Sequence, residues 1–271
     1  YPYERAPVQN RRDDPLPCRI GYTRAMRKRP VLEAIFFDID DTLYSTTEFA
    51  RAAREASVDA MRAAGLRLSR EACLRELKEV IEEFSSNHPH HFEKLLLRVP
   101  RGVWRGTNPA VIVAAGIVAY HDTKFRQLRP YNDVEEVLRA LSKTSVTLGI
   151  VTDGLEVKQA EKLVRLRLLP YFDSQAFLIS DQVGISKPNP KLYWKACDLV
   201  RVPPARAMMI GDNPRMDIDP ANHVGMTTVL VQRAGSKHES DRGRTRPDHR
   251  IRNFWDLLEL LERDYGIPVR G

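Results

Sequence analysis

The sequence predicts an α/β fold in which a parallel sheet is covered by helices on both faces. Beyond Pro130, short apolar runs alternate with helical patterns, an order typical of parallel sheets. Between Tyr44 and Pro130 no strand pattern occurs, which predicts an all-helical insertion directly after the first strand. We therefore expect a Rossmann-like three-layer core at residues 31–44 and 130–271, with a helical insertion at residues 45–129.

The first elements are predicted from local signals. Val31 to Phe37 is an apolar run ending at Asp38, as in a buried strand that presents an acid at its carboxyl end. The tetrad Ser45-Thr46-Thr47-Glu48 resembles a capping box, so a helix should follow to about Ala64. Ser69 should cap a second helix, with Leu77 and Val80 on its apolar face. Further helical pattern extends to about residue 125, with an interruption between Pro100 and Pro109.

The remaining elements alternate along the rest of the chain. The predicted strands are Val146–Val151, Ala176–Ile179, Ala207–Ile210 and Thr227–Val231. The predicted helices are Val157–Leu168, Pro190–Leu199, Met216–His223 and Asn253–Arg263.

The net charge of +7 is concentrated in two segments. Residues 1–30 carry eight basic and three acidic residues, for a net charge of +5, and residues 233–252 carry seven and three, for +4. The rest of the chain has a net charge of −2, so the body is near neutral. This distribution disfavours a nucleic-acid-binding function, and it predicts a flexible basic extension at residues 1–30 and an exposed basic loop around Arg242, Arg244 and Arg246.

Two further features bear on the location of the protein. The longest apolar stretch, Asn108 to Tyr120, is too short to cross a bilayer, and no early apolar run resembles a signal peptide. The three cysteines, Cys18, Cys73 and Cys197, are widely spaced without a CxxC pair, which disfavours a disulfide framework or a zinc site. The sequence therefore predicts a cytoplasmic protein without a membrane partner, and it leaves the oligomeric state open.

Chemically active residues follow four predicted strands. In chain order they are Asp38-Ile39-Asp40-Asp41-Thr42, Thr152-Asp153-Gly154, Lys187-Pro188, and Gly211-Asp212 with Asp217. Parallel sheets bind ligands beyond the carboxyl ends of their strands, so these segments should meet at one edge. Converging carboxylates favour a bound Mg²⁺ ion, while a lysine and a hydroxyl can neutralise a phosphate group. One carboxylate can attack phosphorus while a second exchanges protons, so the set suffices for hydrolysis of a phosphate ester.

These four segments, in this order, resemble the four motifs of the haloacid dehalogenase superfamily, over residues 31 to about 265. The resemblance implies that Asp38 is the nucleophile and a Mg²⁺ ligand. Asp40 would be the general acid and base, with its backbone carbonyl on the metal, and Asp212 would complete the metal ligands. It further implies that Thr152, Asp153 and Lys187 bind the phosphoryl group and that Asp217 orients Lys187 or a metal-bound water.

Two positions distinguish this chain within the resemblance. The dehalogenases lack an acid at the position of Asp40, because a halide leaves without a proton, so Asp40 favours phosphoryl transfer. Asp41 replaces the commoner glycine and is expected to be a turn or capping residue, while Pro214 should occupy the first turn of a helix.

The insertion is similar to the helical cap of the subfamily whose cap lies between the first and second motifs. Segments 86–92 and 119–125, together with Gly154 to Glu161, look like an archaeal group described as glyceraldehyde 3-phosphate phosphatases. Within this cap, His91, His121 and Lys124 are candidate substrate contacts. A metal site at His88, His90 and His91 is not expected, because the spacing is unlike that of zinc ligands and Pro89 interrupts a helix.

Two other classes of function remain open from the sequence. A phosphomutase or dehalogenase would use the same core, and a mutase would move phosphate between positions without net release. A non-catalytic protein of this fold would bind nucleic acid or phosphate, against which the intact motif residues argue. The predicted function is hydrolysis of a small phosphorylated metabolite with Mg²⁺ as cofactor.

Overall fold

The computed structural model describes residues 31–84 and 88–268. The predicted basic extension at residues 1–30 lies outside the described part of the chain, as do residues 85–87 and 269–271.

A six-stranded parallel sheet forms the centre of the molecule. Its strands are β1 Ala34–Phe37, β2 Thr147–Thr152, β3 Phe177–Ile179, β4 Ala207–Gly211, β5 Thr227–Val231 and β6 His249–Ile251. Their spatial order is β3-β2-β1-β4-β5-β6, and every neighbouring pair is parallel. Phe37, the last residue of β1, lies opposite Ile150 of β2 and Ile210 of β4. The direction of chain progression reverses at β1, which opens a crevice beyond its carboxyl end.

Within the described residues, helices follow β1, β2, β3, β4 and β6 along the chain. They are α1 Thr46–Ala63, α2 Arg70–Phe84, α3 His91–Arg98, α4 Pro109–Gln127, α5 Val134–Leu141, α6 Glu156–Leu166, α7 Ser180–Val183, α8 Pro190–Val200, α9 Asp219–Val224 and α10 Phe254–Leu260. Shorter helical turns lie at Arg101–Trp104, Leu169–Tyr171, Pro204–Arg206, Pro214–Ile218 and Leu261–Tyr265.

Strand β1 shows why the fold has three layers. All four of its side chains are buried, so both faces of the sheet are covered. Ile35 and Phe37 point to one layer, where they belong to a cluster with residues of α5, α6 and α10. Ala34 and Phe36 point to the other layer and join residues of α8 and α9. The predicted α/β fold, with a parallel sheet and an inserted helical region, is confirmed.

The helical insertion has its own apolar cluster, formed by residues of α1 to α4 and the segments that join them. The predicted caps form as expected: Ser45 Oγ accepts a hydrogen bond from Glu48 N at 3.1 Å, and Ser69 Oγ accepts one from Ala72 N at 3.2 Å. Leu77 and Val80 are buried on α2. This cluster is separate from the two clusters that flank the sheet, and the predicted boundaries between core and insertion stay a prediction.

Three details differ from the sequence-based expectation. Strand β6 lies within residues 233–252, where a basic loop is predicted. Only Ile251 of its three residues is buried, so the sequence shows no strand pattern there, and the strand forms by pairing with β5. Helix α5 was not predicted, although Val134, Val137, Leu138 and Leu141 are buried at helical spacing. Strand β1 begins at Ala34 rather than at Val31, which is exposed.

Two simpler expectations concern cysteines and membranes. Cys73 and Cys197 are buried and free, and Cys18 lies outside the described residues. In the described ranges, none of the helices combines the length and the apolar character that a membrane crossing requires.

Candidate active site

The sheet brings the four predicted segments to one edge. Asp38 directly follows β1, Thr152 ends β2, and Asp212 directly follows β4. Lys187 lies in the loop after α7, itself continuous with β3. Because β1 lies between β2 and β4, the ends of these three strands are adjacent. The side chains of Asp38, Thr152, Lys187, Asp212 and Asp217 are all buried.

Lys187 connects two of the acids. Its Nζ lies 2.6 Å from Asp38 Oδ1 and 2.6 Å from Asp217 Oδ1. Burial opposes the charge of Lys187, but the carboxylates of Asp217 and Asp38 outweigh it and hold the pKa of the ammonium well above its ordinary range. Burial also raises the pKa of Asp38 to about 7, against the opposing effect of Lys187. The ammonium is therefore a fixed positive charge beside the predicted nucleophile.

Three buried acids form a cluster that suits a cation. Single carboxylate oxygens of Asp38, Asp212 and Asp217 all lie within 4.8 Å of one another. Burial, followed by the charges of Asp217 and Asp38, raises the pKa of Asp212 to about 9. Oδ1 of Asp212 accepts a hydrogen bond from Thr42 Oγ1 at 3.2 Å, whereas its Oδ2 is buried with no hydrogen-bond partner within the described residues. A hard divalent cation bound here would supply the missing partner and relieve the repulsion, so the donor set fits Mg²⁺.

Asp217 is held by a tight turn rather than left to face solvent. Asn213 caps the turn Pro214–Ile218 by accepting hydrogen bonds from Arg215 N and Met216 N, and Asn213 N donates to Asp217 Oδ2 at 3.0 Å. A β-carbon at Gly211 would lie 2.3 Å from Asp217 Oδ2, so only glycine fits there. One Asp217 oxygen thus accepts a hydrogen bond from Lys187 and the other accepts one from Asn213, and the predicted role of Asp217 in orienting Lys187 stays a prediction.

Asp40 has a different environment, on the side of the site that faces α6. Lys162 Nζ lies 2.7 Å from Asp40 Oδ1 and 2.6 Å from Oδ2, and Tyr44 donates its hydroxyl hydrogen to Oδ1 at 2.5 Å. Gln159 Nε2 is a weaker donor to Oδ2, at 3.4 Å. Burial opposes the charge of Asp40, but Lys162 and these hydrogen bonds outweigh it and lower the pKa of the carboxyl.

Lys162 and Gln159 were not predicted as site residues. The available signal was their spacing, because residues three apart share one face of a helix, and this helix directly follows the segment Thr152-Asp153-Gly154. Gly154 has a φ of +132°, and a β-carbon there would lie 2.6 Å from Gln159 Nε2. The glycine therefore allows the Gln159 side chain to approach the loop, where it donates to Asp153 O at 2.5 Å.

Asp153 connects the loop after β2 to the loop that carries Lys187. Its Oδ1 accepts hydrogen bonds from Ser186 Oγ at 2.5 Å and from Lys187 N at 3.3 Å. Ser180 Oγ accepts a hydrogen bond from Gly154 N at 2.9 Å. The carboxylate of Asp153 thus faces the Lys187 loop, which leaves main-chain groups for the predicted phosphate contact at this position.

Asp41 explains the departure from glycine after Asp40. Its φ is +58°, in the left-handed region that glycine adopts most easily and aspartate tolerates. Its Oδ1 accepts a hydrogen bond from Thr46 N at 2.8 Å, and its Oδ2 accepts one from Thr46 Oγ1. Asp41 therefore satisfies the first turn of α1, in agreement with a capping role.

The three candidates in the helical insertion take up separate contacts. Lys124 Nζ forms an ion pair with Glu161 Oε2 of α6 at 2.6 Å, so a substrate contact would require this pair to break. His121 is exposed and packs against the ring of Tyr120, with ring centroids 6.0 Å apart. The ring of His91 packs against that of His88, with ring centroids 5.8 Å apart. Substrate contact by His91, His121 or Lys124 stays a prediction.

Comparison with known proteins gives a consistent result. A family model for haloacid dehalogenase-like hydrolases matches residues 32–225. A glyceraldehyde 3-phosphate phosphatase of Methanopyrus kandleri is 42% identical over 235 residues, which cover 85% of this chain and 97% of that protein. A glyceraldehyde 3-phosphate phosphatase of Pyrococcus abyssi is 39% identical, over 87% of this chain and 96% of that protein. The crystal structure of a HAD phosphatase from Thermococcus onnurineus aligns with a TM-score of 0.59 at 29% identity, over 85% of this chain and 98% of that one.

The match extends through all four site segments and nearly the full length of these relatives. The chain therefore belongs to the haloacid dehalogenase-like hydrolases, and it is a phosphatase of that family.

Proposed function

We propose that the chain hydrolyses glyceraldehyde 3-phosphate or a similar small phosphorylated metabolite, with Asp38 as the nucleophile and Mg²⁺ as cofactor. The observation that carries the proposal is the buried Asp38 carboxylate, which lies 2.6 Å from Lys187 and within the cluster of three acids. The choice of substrate rests on the names of relatives at 42% and 39% identity.

The proposed metal ligands are the carboxylates of Asp38 and Asp212 and the backbone carbonyl of Asp40. Asp212 supports this assignment because its Oδ2 is buried without a hydrogen-bond partner in the described part of the chain. Asp217 is a less suitable direct ligand, since both of its oxygens already accept hydrogen bonds. Bound Mg²⁺ would neutralise negative charge that develops on the phosphoryl oxygens.

The first half of the proposed reaction forms an aspartyl phosphate. An Asp38 oxygen attacks phosphorus, the bond from phosphorus to the ester oxygen breaks, and its electron pair stays on the leaving oxygen. Lys162 and the hydrogen bonds keep the free Asp40 carboxyl ionised, so Asp40 first takes up a proton from solvent. It then donates this proton to the leaving oxygen, which releases the product as an alcohol. Lys187 and the hydroxyl of Thr152 would hold the phosphoryl oxygens, because both groups are buried beside Asp38 at the same sheet edge.

The second half regenerates the enzyme. Asp40, now ionised, takes a proton from water while the water oxygen attacks phosphorus. The bond between phosphorus and Asp38 breaks, inorganic phosphate leaves, and the carboxylate of Asp38 is restored. The helical insertion, as the proposed cap, would exclude bulk water during the first half. A cytoplasmic location stays a prediction.

The test is hydrolysis by an Asp38→Asn variant. We expect phosphate release from both p-nitrophenyl phosphate and glyceraldehyde 3-phosphate to fall by at least about 10³-fold, because an amide is a poor nucleophile. Asp198→Asn, at an exposed position on α8, is the matched control and should retain activity. A Mg²⁺-dependent turnover by Asp38→Asn close to that of the control would disprove the role of Asp38.

The substrate is tested separately from the mechanism. With the unaltered protein, kcat/KM for glyceraldehyde 3-phosphate should exceed that for other small sugar and amino acid phosphates by at least about tenfold, a difference of about 1.4 kcal/mol in transition-state binding. A different preferred phosphate ester would reject the substrate while leaving the nucleophile in place. Formation of an isomeric sugar phosphate without phosphate release would indicate a mutase.

A further inference from the structure

The Asp40 side chain contacts a helix that lies in a different layer of the fold from β1. The backbone of Asp40 follows β1, but both of its carboxylate oxygens contact the Lys162 ammonium of α6, at 2.7 and 2.6 Å. The two backbone segments are 122 residues apart in the chain. The side chain of Asp40 is about one third exposed, so without such a contact it would be free to rotate into solvent.

We propose that Lys162 is a positioning residue that fixes the orientation of the Asp40 carboxylate for proton exchange with the leaving group and with water. This inference rests on the proposed function, in which Asp40 is the general acid and base. Lys162 itself would contact neither the substrate nor the metal.

The contacts around Lys162 support a specific rather than a general electrostatic role. The ammonium spans both oxygens, Tyr44 donates to one of them and Gln159 to the other, so rotation about the side chain of Asp40 would break hydrogen bonds at both oxygens. The Lys162 side chain is only 19% exposed, so solvent screens the pair less than it screens a surface ion pair.

Helix α6 is itself anchored at its outer face. Glu161, next to Lys162, pairs with Arg165 of the same helix at 2.7 Å and with Lys124 of the helical insertion at 2.6 Å. Leu163 and Leu166 of the same helix belong to the core cluster, so the helix that carries Lys162 contacts both the core and the insertion. A fixed helix gives Lys162 a fixed point from which to orient Asp40.

The two halves of the reaction allow a test that separates positioning from general damage. The p-nitrophenolate anion is stable enough to leave without a proton, so phosphorylation of Asp38 by p-nitrophenyl phosphate does not need Asp40. Hydrolysis of the aspartyl phosphate needs Asp40 as a base whatever the substrate was. Loss of orientation should therefore slow the second half selectively.

The experiment is rapid mixing of a Lys162→Met variant with p-nitrophenyl phosphate and Mg²⁺. We expect a burst of about one p-nitrophenolate per enzyme at a rate within about threefold of the wild type, followed by steady turnover lowered at least about tenfold. Turnover of glyceraldehyde 3-phosphate should fall at least as much, because its leaving group needs the proton. Lys162→Arg keeps the positive charge and can donate to both oxygens of Asp40, so its turnover should be within about threefold of the wild type.

The controls distinguish failure of this inference from failure of the proposed function. Lys195→Met, at an exposed position on α8, should behave like the wild type. Asp38→Asn should give neither burst nor turnover, and if it gives both, the proposed function is wrong. If Asp38→Asn is inactive but Lys162→Met matches the wild type, or loses burst and turnover in equal proportion, the positioning role of Lys162 is wrong.

Discussion

At the carboxyl edge of the sheet, residues from four separate segments of the chain lie together, whereas in the helical insertion three candidate residues on two helices take up unrelated contacts. Asp38, Lys187, Asp212 and Asp217 are buried and joined by direct contacts or by a shared cluster. His91 and His121 pack against neighbouring rings, and Lys124 pairs with Glu161. The two regions therefore differ in what determines the position of a side chain.

The difference follows from backbone geometry. Strand pairing fixes where β1, β2 and β4 end, so a residue that directly follows a strand is placed within a small region before any side chain packs. A residue on a helix surface can face several directions, and the packing of the whole helix decides which one. Substitutions in the two regions should therefore differ in effect.

The largest effect is expected for Lys187→Met at the sheet edge. The change removes the only ammonium that contacts Asp38 and Asp217 among the described residues, so phosphate stabilisation is lost and two buried carboxylates lose their partner. We expect kcat/KM to fall at least about 10²-fold and the metal-free protein to lose about 3 kcal/mol of unfolding free energy. Steady-state kinetics and urea unfolding, with Lys195→Met as control, measure both. If Lys187→Met kept both the kcat/KM and the unfolding free energy of the control, the proposed role of Lys187 at the sheet edge would be wrong.

An intermediate effect is expected from pH in the absence of metal. The pKa values of Asp38 and Asp212, about 7 and about 9, lie above the ordinary value of 3.8, so the folded state binds more protons than the unfolded state between pH 4 and 9. This contribution to stability is complete below pH 4 and is lost as pH rises through 7 and 9. We expect a loss of at least about 2 kcal/mol, since one pKa unit corresponds to about 1.4 kcal/mol.

The measurement is urea unfolding across this pH range in EDTA and in Mg²⁺. Mg²⁺ should restore stability increasingly as pH rises, because it replaces the protons that the acids lose. An Asp38→Asn, Asp212→Asn double variant should show a flatter profile in EDTA. A metal-free wild type that is equally stable across the range, or more stable at pH 9, would argue against a cation site here.

The smallest effect is expected for Lys124→Gln in the helical insertion. This change breaks the ion pair with Glu161, which is partly exposed, so unfolding free energy should fall by no more than about 1 kcal/mol. The value of kcat/KM for glyceraldehyde 3-phosphate should change less than about threefold, as steady-state kinetics would show. If KM rises more than about tenfold while kcat is kept, Lys124 contacts the substrate, as the sequence predicted, and the contrast between the two regions is smaller than the structure suggests.

The same contrast explains which parts of the molecule were predictable from the sequence. Asp38, Thr152 and Asp212 were placed at strand ends by apolar runs, and parallel pairing then required them to meet. The capping role of Asp41 follows from a residue type that tolerates positive φ at a turn. These features depend on local pattern and on strand order.

The missed features depend on contacts between distant layers. Lys162 resembles any lysine on an amphipathic helix until α6 packs against the loop after β1. Strand β6 has one buried residue and a charged sequence, so it exists because β5 offers backbone groups to pair with. Strand β6 leaves no periodic pattern in the sequence, and the spacing of Gln159 and Lys162 shows only that they share one face of a helix. Both features therefore require the assembled fold.

The two outermost strands of the sheet, β3 and β6, are only three residues long. An outer strand exposes unpaired amide and carbonyl groups, to which the backbone of another molecule can add. Short strands present few such groups. On β6 the side chain of Arg250 is also exposed, so pairing of β6 with β6 of a second molecule would bring two positive charges close together. The sheet should thus resist growing from one molecule into the next, even at high protein concentration.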